Sequence, residues 1–552
     1  MFRDLVTLFK LLNKIERQLL IGATVLFGVS FIFFSIRYFY YKTEVQPAVG
    51  GEYTEGIVGQ PVKINPILGG ASDADRDLIE LLFADLMTIT DSYTTSTDGK
   101  IWTLTLKPEM TWSDDKPLTA DDVVFTVETI QNPDALSPLY STWQGVLVER
   151  LSEREVRFTL RTPYVYFLDN LKGLHIAPYH VFESVPPANI YLSNYNLEPV
   201  ASGPYKFVSY EKEKSGFIST YHLALNRSYP GERALIPTFT VRFFRSYGEA
   251  ITAFNQRAID GLGGFEASLL PEFKVGNTLH SLAIPRSYAV FLNQNVNALL
   301  KNANLRTALD LAIDRDALIK NVFNNYAVVA SGPILPFIDG YAPEVYKDKN
   351  PSSSQAIALL EKDGWRLSED GVRVKTTGKT VQKLELELTV PEITFMTATA
   401  NILVENWKAI GVKVNINALP ATEITGETIK SRNYQMLLFG NVVRGNPDIF
   451  SFWHSSQRFQ PGLNLSMYEN KTMDILLESV RKNGNGEKRL ADLAKIQKLI
   501  ADDVPAIFLY APNYLYASVK DLGGLEAVYT DTPAGRFEDV NKWFLETNRV
   551  FK

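Results

Sequence analysis

Apolar and polar residues recur with two different periods along this chain. Residues 102–107 alternate between apolar and polar side chains, which predicts a strand. Residues 304–320 carry apolar side chains at helical spacing and predict a helix. Residues 397–410 are again helical in pattern, and residues 412–416 alternate as a strand. Because helix and strand predictions continue to alternate along the chain, we expect an α/β or α+β fold with several sheets.

Helix ends are marked by residues that usually cap helices. Thr119 precedes Asp121, Asp122 and a pair of valines, which predicts an N-cap with acidic residues in the first helical turn. The serines at 352–354 can cap a second helix, and Gly364 is suited to end it. These caps predict where two helices begin and where one of them ends.

An apolar segment near the N-terminus is long enough to cross a membrane. Residues 19–36 contain no charge, and the aromatic residues at 38–41 are typical of a membrane interface. A cleaved secretory signal has a similar apolar core, but no small-x-small cleavage site follows here. We therefore expect a cytoplasmic N-terminus at 1–18, an uncleaved transmembrane anchor at 19–41 and a polar linker at 42–49. The rest of the chain would lie on the extracytoplasmic side of the cell membrane, held by this single pass.

Composition excludes several classes of protein. The chain has 552 residues, which corresponds to several domains at about 150 residues each. Its 56 Lys and Arg against 62 Asp and Glu give a net charge of −6, without the basic surface that nucleic-acid binding needs. The absence of cysteine excludes disulfides, thiolate metal sites, cysteine nucleophiles and attachment through a lipid-bearing N-terminal cysteine.

The common catalytic motifs are absent from the sequence. The chain lacks the phosphate-binding G-x-x-x-x-G-K-[ST] pattern, the zinc-binding H-E-x-x-H pattern and the G-x-S-x-G pattern of serine hydrolases. His175 and His180 are separated by Pro178 and do not share a helix face, so we expect structural roles for both. The sequence therefore predicts a protein that is not an enzyme and that holds neither a cofactor nor a metal.

Four stretches, in order along the chain, resemble one protein family. They are WTLTLKPEMTWSDDKPLTADDVVFTVETI at 102–130, SGPYKF at 202–207, LRTALDLAIDRDALI at 305–319 and QAIALLEKDGW at 355–365. Each is similar to the corresponding stretch of the peptide- and nickel-binding proteins of bacterial ABC importers, the extracellular solute-binding proteins of family 5. The order and spacing also agree, and the resemblance covers about residues 50–545.

The resemblance implies a two-lobed, periplasmic-binding-protein-like fold of type II, cluster C, with an extra inserted subdomain. The first lobe would comprise 50–86, 197–284 and 509–552, the insert 87–196 and the second lobe 285–508. The resemblance also implies a receptor that captures peptides or similar polar solutes in the cleft between its lobes. It would deliver them to the permease and ATPase subunits of an ABC transporter, with the membrane helix in place of the lipid-bearing cysteine of other members.

Alternatives to peptide transport stay open at this point. The same fold could bind a non-peptide solute such as a metal chelate, a sugar or an anionic compound. It could also act as a surface sensor or adhesin without transport. An extracytoplasmic hydrolase is the enzyme alternative, and it would need catalytic residues that the sequence does not show.

The loop at 440–453 departs from the family at a position that selects peptides. Peptide-binding members often carry an aspartate a few residues before the loop proline, where it pairs with the amino terminus of the peptide. Here the residues just before Pro447 include no acid and one base, Arg444. Arg444 either binds a ligand carboxylate or phosphate through paired hydrogen bonds or is a surface arginine. Asp448 either receives a ligand amine or caps a helix that begins at Ile449.

The remaining candidates are expected around the same cleft. Flat aromatic side chains bind variable ligands at low entropy cost, with burial in a core as the alternative, and this applies to Trp453, Tyr140 and Trp143. Tyr288 and Asn293 follow the predicted crossing into the second lobe, where strand packing and a strand end are the alternatives. Gly70 and Ser72 lie in a segment whose backbone lines the cleft in family members.

Overall fold

Two large β-sheets, each covered by helices on both faces, form the body of the protein. The computed structural model describes residues 12–70, 72–347, 349–443, 445–518 and 522–552. Each sheet carries buried apolar side chains on both of its faces, so both faces pack against other elements. We call the seven-stranded sheet with its helices the first lobe and the six-stranded sheet with its helices the second lobe.

The first lobe is centred on strand Glu52–Val58, which pairs in parallel with both of its neighbours. Phe243 and Phe244 are adjacent in sequence and therefore point to opposite faces of the sheet. Phe243 packs in the same core as helix Asp73–Leu82, and Phe244 packs in the core of helix Tyr247–Asn255. In spatial order the strands are Thr278–Leu282, Tyr514–Ser518, Gly261–Gly263, Glu52–Val58, Thr238–Phe244, Ile218–Leu225 and Tyr205–Lys212.

The second lobe repeats this arrangement with six strands. In spatial order they are Ala327–Val329, Ala506–Pro512, Arg286–Leu292, Met436–Val442, Glu385–Pro391 and Lys413–Leu419. Val290 belongs to the core on one face, with helices Ala303–Leu311, Arg315–Phe323, Ser353–Lys362 and Thr394–Ala409. Phe291 belongs to the core on the other face, with helices Lys471–Lys482 and Gly486–Asp503. A small three-stranded sheet also follows the helix at 353–362, with strands Arg366–Leu367, Arg373–Thr377 and Thr380–Lys383.

A four-stranded antiparallel sheet packs against the first lobe. Its strands, in spatial order, are Thr90–Thr95, Ile101–Leu106, Glu155–Thr159 and Leu147–Arg150. Helix Ala120–Gln131 begins at its predicted N-cap Thr119 and buries Val123 and Val127 against this sheet. Because the same core continues into the first-lobe sheet, these residues are fixed to that lobe. We call this sheet and its helices the insert.

Shorter helices connect these elements. The α-helical ones are Tyr140–Trp143, Phe167–Lys172, Tyr179–Phe182, Ala421–Glu423, Ile429–Ser431 and Phe450–Trp453, with a π-helical turn at Ile424–Thr428. The 3₁₀ turns are Pro66–Leu68, Pro133–Ala135, Pro187–Leu192, Asn194–Asn196, Ala267–Glu272, Ala298–Lys301, Pro343–Val345, Ser455–Gln457, Pro533–Phe537 and Val540–Lys542. The first of these turns and the short helix at 450–453 lie in segments that the sequence assigned to the cleft.

The chain passes between the two sheets at two places. The first lies between strands Thr278–Leu282 and Arg286–Leu292, and the sequence predicts a crossing after residue 284. The second lies at Asn513, because Ala506–Pro512 pairs within the second sheet and Tyr514–Ser518 within the first. The sequence predicts this crossing at residue 509. The predicted limits of the lobes and the insert stay predictions.

The apolar segment forms one long helix, Lys14–Lys42, whose residues are exposed along its length. Among the described residues, it is the helix that is long and apolar enough to cross a membrane, by length and composition alone. Residues 43–48, which we expected to be linker, form strand Thr43–Ala48 instead. This strand pairs antiparallel with Glu546–Phe551, which supplies the backbone partners that a free linker lacks.

Candidate ligand-binding cleft

Second-lobe residues contact the insert directly at the predicted ligand loop. The hydroxyl of Tyr164, in the insert, donates a hydrogen bond of 2.7 Å to Oδ2 of Asp448. The same oxygen lies 3.2 Å from Nε of Arg481, on helix Lys471–Lys482. The Arg481 guanidinium also lies over the ring of Tyr164, 5.1 Å from its centroid. We call Tyr164, Asp448 and Arg481 the interlobe cluster.

Two further hydrogen bonds join the same surfaces. The backbone N–H of Val165 donates to the backbone oxygen of Arg481 at 2.9 Å. The side-chain amide of Asn446 donates to Oδ2 of Asp169 in the insert at 3.1 Å. All three hydrogen bonds lie between the turn before helix Phe167–Lys172, or that helix itself, and the loop and helix of the second lobe.

The first lobe approaches the ligand loop from another side. A Cβ atom added to Gly445 would overlap the carboxylate of Asp531, so the loop backbone lies directly against this side chain. Asp531 follows Tyr529, which forms an isolated bridge with Ala283 at the first crossing. The ligand loop is therefore enclosed between the first lobe and the insert, at the junction of all three parts of the body.

The surface that faces the loop is acidic. Burial raises the pKa of Asp169, and the nearby Asp531 carboxylate raises it further, against the lowering effects of Asn446 and Lys172. Burial likewise raises the pKa of Glu538, with added repulsion from acidic neighbours that include Asp531. Carboxylates in this arrangement favour a cationic group of a ligand because such a group would relieve their mutual repulsion.

Asp448 is already engaged at both carboxylate oxygens. Its Oδ2 belongs to the interlobe cluster, and its Oδ1 accepts a long hydrogen bond of 3.3 Å from the N–H of Phe450. The short helix begins at Phe450 rather than at Ile449. The sequence suggested that Asp448 binds a ligand amine or caps a helix. The structure adds a third role, because Asp448 also binds Tyr164 of the insert.

Arg444 lies outside the described residues, so its role stays a prediction. Its neighbours on either side are described. Val443 is buried in a second-lobe core, and its N–H donates to the backbone oxygen of Pro285 at 2.8 Å. Gly445 lies against Asp531 as described above. The loop is therefore anchored to the first crossing immediately before residue 444.

The two predicted tryptophans lie inside cores. Trp143 is 2% exposed and packs against Phe158 and Phe167 of the insert, with ring centroids about 6 Å apart. Trp453 is also 2% exposed and packs against Phe508 of the second lobe at 5.8 Å. A ligand would need to displace these partners to reach either ring, so the contacts favour the core interpretation for both.

Tyr140 lies next to the segment that contains Gly70. The hydroxyl of Ser137 donates to the backbone oxygen of Ile67 at 2.6 Å, which joins the turn before Tyr140 to the segment before Gly70. Tyr140 is partly exposed at the start of its short helix. The structure thus brings together two of the predicted cleft segments from the insert and the first lobe.

Gly70 and Ser72 contribute to the start of helix Asp73–Leu82. Gly70 has a φ of +67°, and its backbone oxygen accepts a hydrogen bond of 3.1 Å from Arg76. The Ser72 hydroxyl accepts from the N–H of Asp75 at 3.1 Å as the N-cap. These backbone and side-chain groups therefore already have partners within the first lobe.

Tyr288 and Asn293 lie within the second lobe on strand Arg286–Leu292 and just after it. Tyr288 packs edge-on against Phe395 at 5.2 Å. Asn293 is fully buried, and its amide donates to the backbone oxygen of Arg432 at 2.9 Å. These contacts favour packing and strand-end roles, and neither residue belongs to the interlobe cluster.

Sequence reasoning missed a buried ionic network in the first lobe. Arg536 binds Asp77 through two hydrogen bonds of 2.9 and 2.7 Å and donates a third to Glu55 at 2.9 Å. The hydroxyl of Tyr516 donates to the other oxygen of Glu55 at 2.7 Å. One signal existed, because Glu55 stands two residues after Tyr53 and two before Ile57 and so shares the apolar face of its strand.

Outside the candidate cleft, the described residues form a polar cavity but no metal-binding group. Among the described residues, His, Asp and Glu side chains form no group of three or more that could hold a metal. A polar cavity of about 500 Å³ lies between the insert and the first lobe, lined by Asp91, Lys107, Glu109, Arg227 and Tyr229 among others. None of the candidate cleft residues lines it.

Glu80 gives the first lobe a pH-dependent stability. Burial, with repulsion from Asp85 and other acids, raises its pKa from about 4.5 to about 8, and its side chain is 22% exposed. His175, whose pKa is lowered by burial, lies 3.5 Å away, and its neutral ring can accept a hydrogen bond from the protonated carboxyl. Between pH 4.5 and 8, the folded state therefore keeps a proton that the unfolded state has already released. The free energy of unfolding falls as pH rises through that window.

We expect Glu80→Gln to abolish this fall, because glutamine stays neutral at every pH. The variant should match the unchanged protein near pH 4 and exceed its free energy of unfolding by about 4–5 kcal/mol at pH 9, the energy that corresponds to the raised pKa. Urea unfolding across this pH range measures the difference. A variant that is equally less stable at both pH values would instead indicate a lost packing contact.

These features define a class of protein: two α/β lobes joined by two crossings, with an insert that closes over a loop of the second lobe. The chain belongs to the bacterial extracellular solute-binding proteins, family 5, whose model for the middle region matches residues 87–460. This confirms the family expected from the four sequence stretches and the two-lobed fold with its inserted subdomain.

Several characterised proteins are similar over nearly the whole chain. The oligopeptide-binding protein AppA of Bacillus subtilis is 25% identical over 531 residues, which cover 91% of this chain and 93% of AppA. The ABC transporter substrate-binding protein CtaP of Listeria monocytogenes has a solved structure with a TM-score of 0.76 at 27% identity, covering 90% and 99%. NikZ of Campylobacter jejuni, solved in complex with Ni(L-His), has a TM-score of 0.71 at 25% identity, covering 89% and 99%.

Proposed function

We propose that this protein is a membrane-anchored receptor that captures peptides or similar polar solutes between its lobes and delivers them to an ABC permease. The observation that carries the proposal is the enclosure of the 440–453 loop between the insert and the first lobe, which is where a ligand would contact all three parts. The similarity to an oligopeptide-binding protein over 91% of the chain supports a peptide as the ligand.

Charge suggests how a peptide would lie in the cleft. The usual aspartate of the second-lobe loop is absent, and Arg444 is the charged residue before the loop proline. Asp169 of the insert and Asp531 of the first lobe present carboxylates to the same loop, and burial raises the pKa of Asp169. A peptide would therefore direct its amine toward the insert and first lobe and its carboxylate toward Arg444, since each end then meets the opposite charge.

Opening and closing of the lobes would control capture. Among the described residues, the contacts between the insert and the second lobe include three hydrogen bonds and the Arg481 guanidinium over the Tyr164 ring, and the lobes are joined by two short crossings. A rigid-body rotation about such crossings exposes the cleft without unfolding either lobe. Ligand that contacts both sides favours the closed arrangement, because it binds that arrangement more tightly.

Retention of the N-terminal helix completes the proposal. Strand Thr43–Ala48 follows the helix directly and pairs with Glu546–Phe551, so the segment after the helix is part of the folded protein. Cleavage after a secretory signal would leave this strand pair without the helix end that it contacts. We therefore favour an anchor over a cleaved signal.

The test is to purify the full chain from membranes in mild detergent and record its native mass spectrum. We expect an uncleaved chain that carries peptide, and binding of the released peptides should make the protein more compact in small-angle scattering.

Arg444→Ala should weaken peptide binding by about tenfold or more, because a charge-assisted pair contributes about 1.5–3 kcal/mol. Arg444→Lys, which keeps the charge but not the paired geometry, is the matched control and should lose less.

Each part of the proposal can fail separately. A metal chelate or an organic anion in the spectrum would show that the ligand is not a peptide, while the protein would still be a receptor. If Arg444→Ala binds the native ligand with unchanged affinity, Arg444 is a surface arginine that does not contact the ligand. A processed chain free of the membrane would reject the anchor.

A further inference from the structure

The strand pair beside the membrane helix has a defined orientation. Strands Thr43–Ala48 and Glu546–Phe551 contain six residues each, with Thr43 opposite Phe551 and Ala48 opposite Glu546. We call this pair the terminal ribbon. At about 3.4 Å per residue it is about 20 Å long, and Phe551 lies at the end nearest the helix.

Aromatic and cationic side chains fasten the ribbon to the last turn of the helix. The ring of Phe551 meets that of Phe39 edge to face, with centroids 6.0 Å apart. The guanidinium of Arg549 lies over the ring of Tyr40 at 4.1 Å. A cation above an aromatic face is attracted by the ring, and the contact orients both side chains.

Hydrogen bonds reinforce this junction. Arg549 donates to the hydroxyl of Thr43 at 3.1 Å, which ties the two strands together at the helix end. The N–H of Lys552 donates to the backbone oxygen of Lys42 at 2.9 Å, so one of the last carbonyls of the helix is satisfied by the ribbon. The helix and the ribbon therefore meet as one structure rather than through a free linker.

The position of the apolar run sets the depth of this junction. Residues 19–36 are about 27 Å long as a helix, which fits the hydrocarbon core of a bilayer. Residues 37–42 then extend about 9 Å further and lie in the headgroup layer. Because Phe551 contacts Phe39, the end of the ribbon lies in that layer too.

The charges at this depth match an anionic membrane surface. Residues 37–44 and 549–552 lie at this depth. They contain one acid, Glu44, and four basic residues, Arg37, Lys42, Arg549 and Lys552. Phe551 contacts Phe39 on one side and is still 70% exposed, so most of its apolar surface is free to contact lipid. The apolar ring and the surrounding cations have the composition of an interfacial membrane contact.

We propose that residues 549–552 are a lipid-binding site for anionic phospholipid headgroups, formed together with the last turn of the helix. The proposal rests on the membrane anchor of the proposed function. It adds a second contact with the bilayer, supplied by a strand that is distant from the helix in sequence. The two strands of the ribbon then fix the orientation of the body relative to the membrane, which a single flexible linker would not do.

A single spin label can measure this contact because the chain contains no cysteine. The full chain with Phe551→Cys, or with Lys552→Cys to preserve the Phe39 contact, is labelled and placed in vesicles of equal phosphatidylcholine and phosphatidylglycerol. We expect the label to be shielded from a water-soluble nickel relaxant and accessible to oxygen. The control is Val208→Cys, an exposed first-lobe position, which should show the reverse. Equal nickel accessibility at 551, 552 and 208 would overturn the proposal.

Charge reversal tests the headgroup preference. The label is kept at 551, and Arg549→Glu and Lys552→Glu are each tested in the anionic vesicles. For every positive charge removed, the fraction of labels that is immersed in the bilayer should fall about fivefold. In pure phosphatidylcholine the reversals should have little effect, and an equal effect in both would reject headgroup binding. The mass of the labelled chain reports separately whether the helix is retained, so failure of the anchor and failure of the lipid site are distinguishable. A disulfide between Gln46→Cys and Asn548→Cys, which are paired residues, shows that the ribbon itself is intact.

Discussion

Replacing Arg536 by methionine is expected to lower the free energy of unfolding by about 3–5 kcal/mol, because it leaves two buried carboxylates without their cation. Asp77 and Glu55 are both buried, and each binds Arg536 through its side chain. Burial raises the pKa of both, with Arg536 opposing the shift, so its removal would raise them further. Methionine keeps much of the side-chain volume, so the loss reports charge rather than a cavity.

The pH dependence separates this effect from general damage. Without Arg536 the carboxylates become neutral in the folded state at higher pH, and protonated carboxyls cost less to bury. The deficit in urea unfolding should therefore be smaller at pH 5 than at pH 8. Arg245→Met is the control, because its pair with Glu213 is 49% and 41% exposed, and this variant should be nearly as stable as the unchanged protein. A deficit that is the same at both pH values would count against the ionic explanation.

Tyr164→Phe is expected to favour the open arrangement of the lobes by about tenfold. The substitution removes one hydroxyl whose hydrogen bond to the Asp448 carboxylate joins the insert to the second lobe. Burial and Asp448 raise the pKa of Tyr164, so the hydroxyl remains protonated and donates across the working pH range. A hydrogen bond to a charged group contributes about 1.5 kcal/mol or more, which corresponds to a factor of ten. Ligand affinity falls with the population of the closed arrangement.

Tyr166→Phe is a closely matched control for this experiment. Tyr166 is in the same turn and is buried, but its hydroxyl has no hydrogen-bond partner among the described residues. Its loss should change neither closure nor affinity. Distances between labels in the insert and the second lobe measure closure, and titration with ligand measures affinity. If both variants behave like the unchanged protein, the interlobe cluster does not control opening.

Features with a local cause could be predicted from the sequence. Thr119 caps helix Ala120–Gln131, as its spacing to Asp122 indicated. Gly411, with a φ of +80°, follows the helix predicted at 397–410. Such features depend on a few neighbouring residues, so the pattern along the chain is sufficient to find them.

One local prediction differed from the structure for an identifiable reason. Residues 304–320 have the apolar pattern of a single helix, but the structure has Ala303–Leu311 and Arg315–Phe323. The Asp314 side chain accepts a hydrogen bond from the N–H of Ala317 and caps a new helix there. An aspartate in an apparently continuous helical pattern therefore indicated a break that periodicity alone does not reveal.

The arrangement of the cleft and of the buried ionic network depends on residues that are far apart in sequence. Tyr164 and Asp448 are separated by 284 positions, and Asp77 and Arg536 by 459. No local pattern pairs such residues, and the resemblance to the family suggested the loop but not its partners. The tryptophans were candidates because they are large and aromatic, and the same properties make them suitable for a core.

The position of strand Tyr514–Ser518 sets the order in which the two lobes can fold during export. This strand lies between Thr278–Leu282 and Gly261–Gly263 in the first-lobe sheet, and Arg536 completes the ionic network beneath it. The second-lobe strands instead all lie between residues 286 and 512. Although the first lobe begins earlier in the sequence, its sheet lacks the strand that joins its edge strand Thr278–Leu282 to the others until residue 518 has left the translocation channel. We therefore expect the second lobe to complete its sheet before the first lobe does.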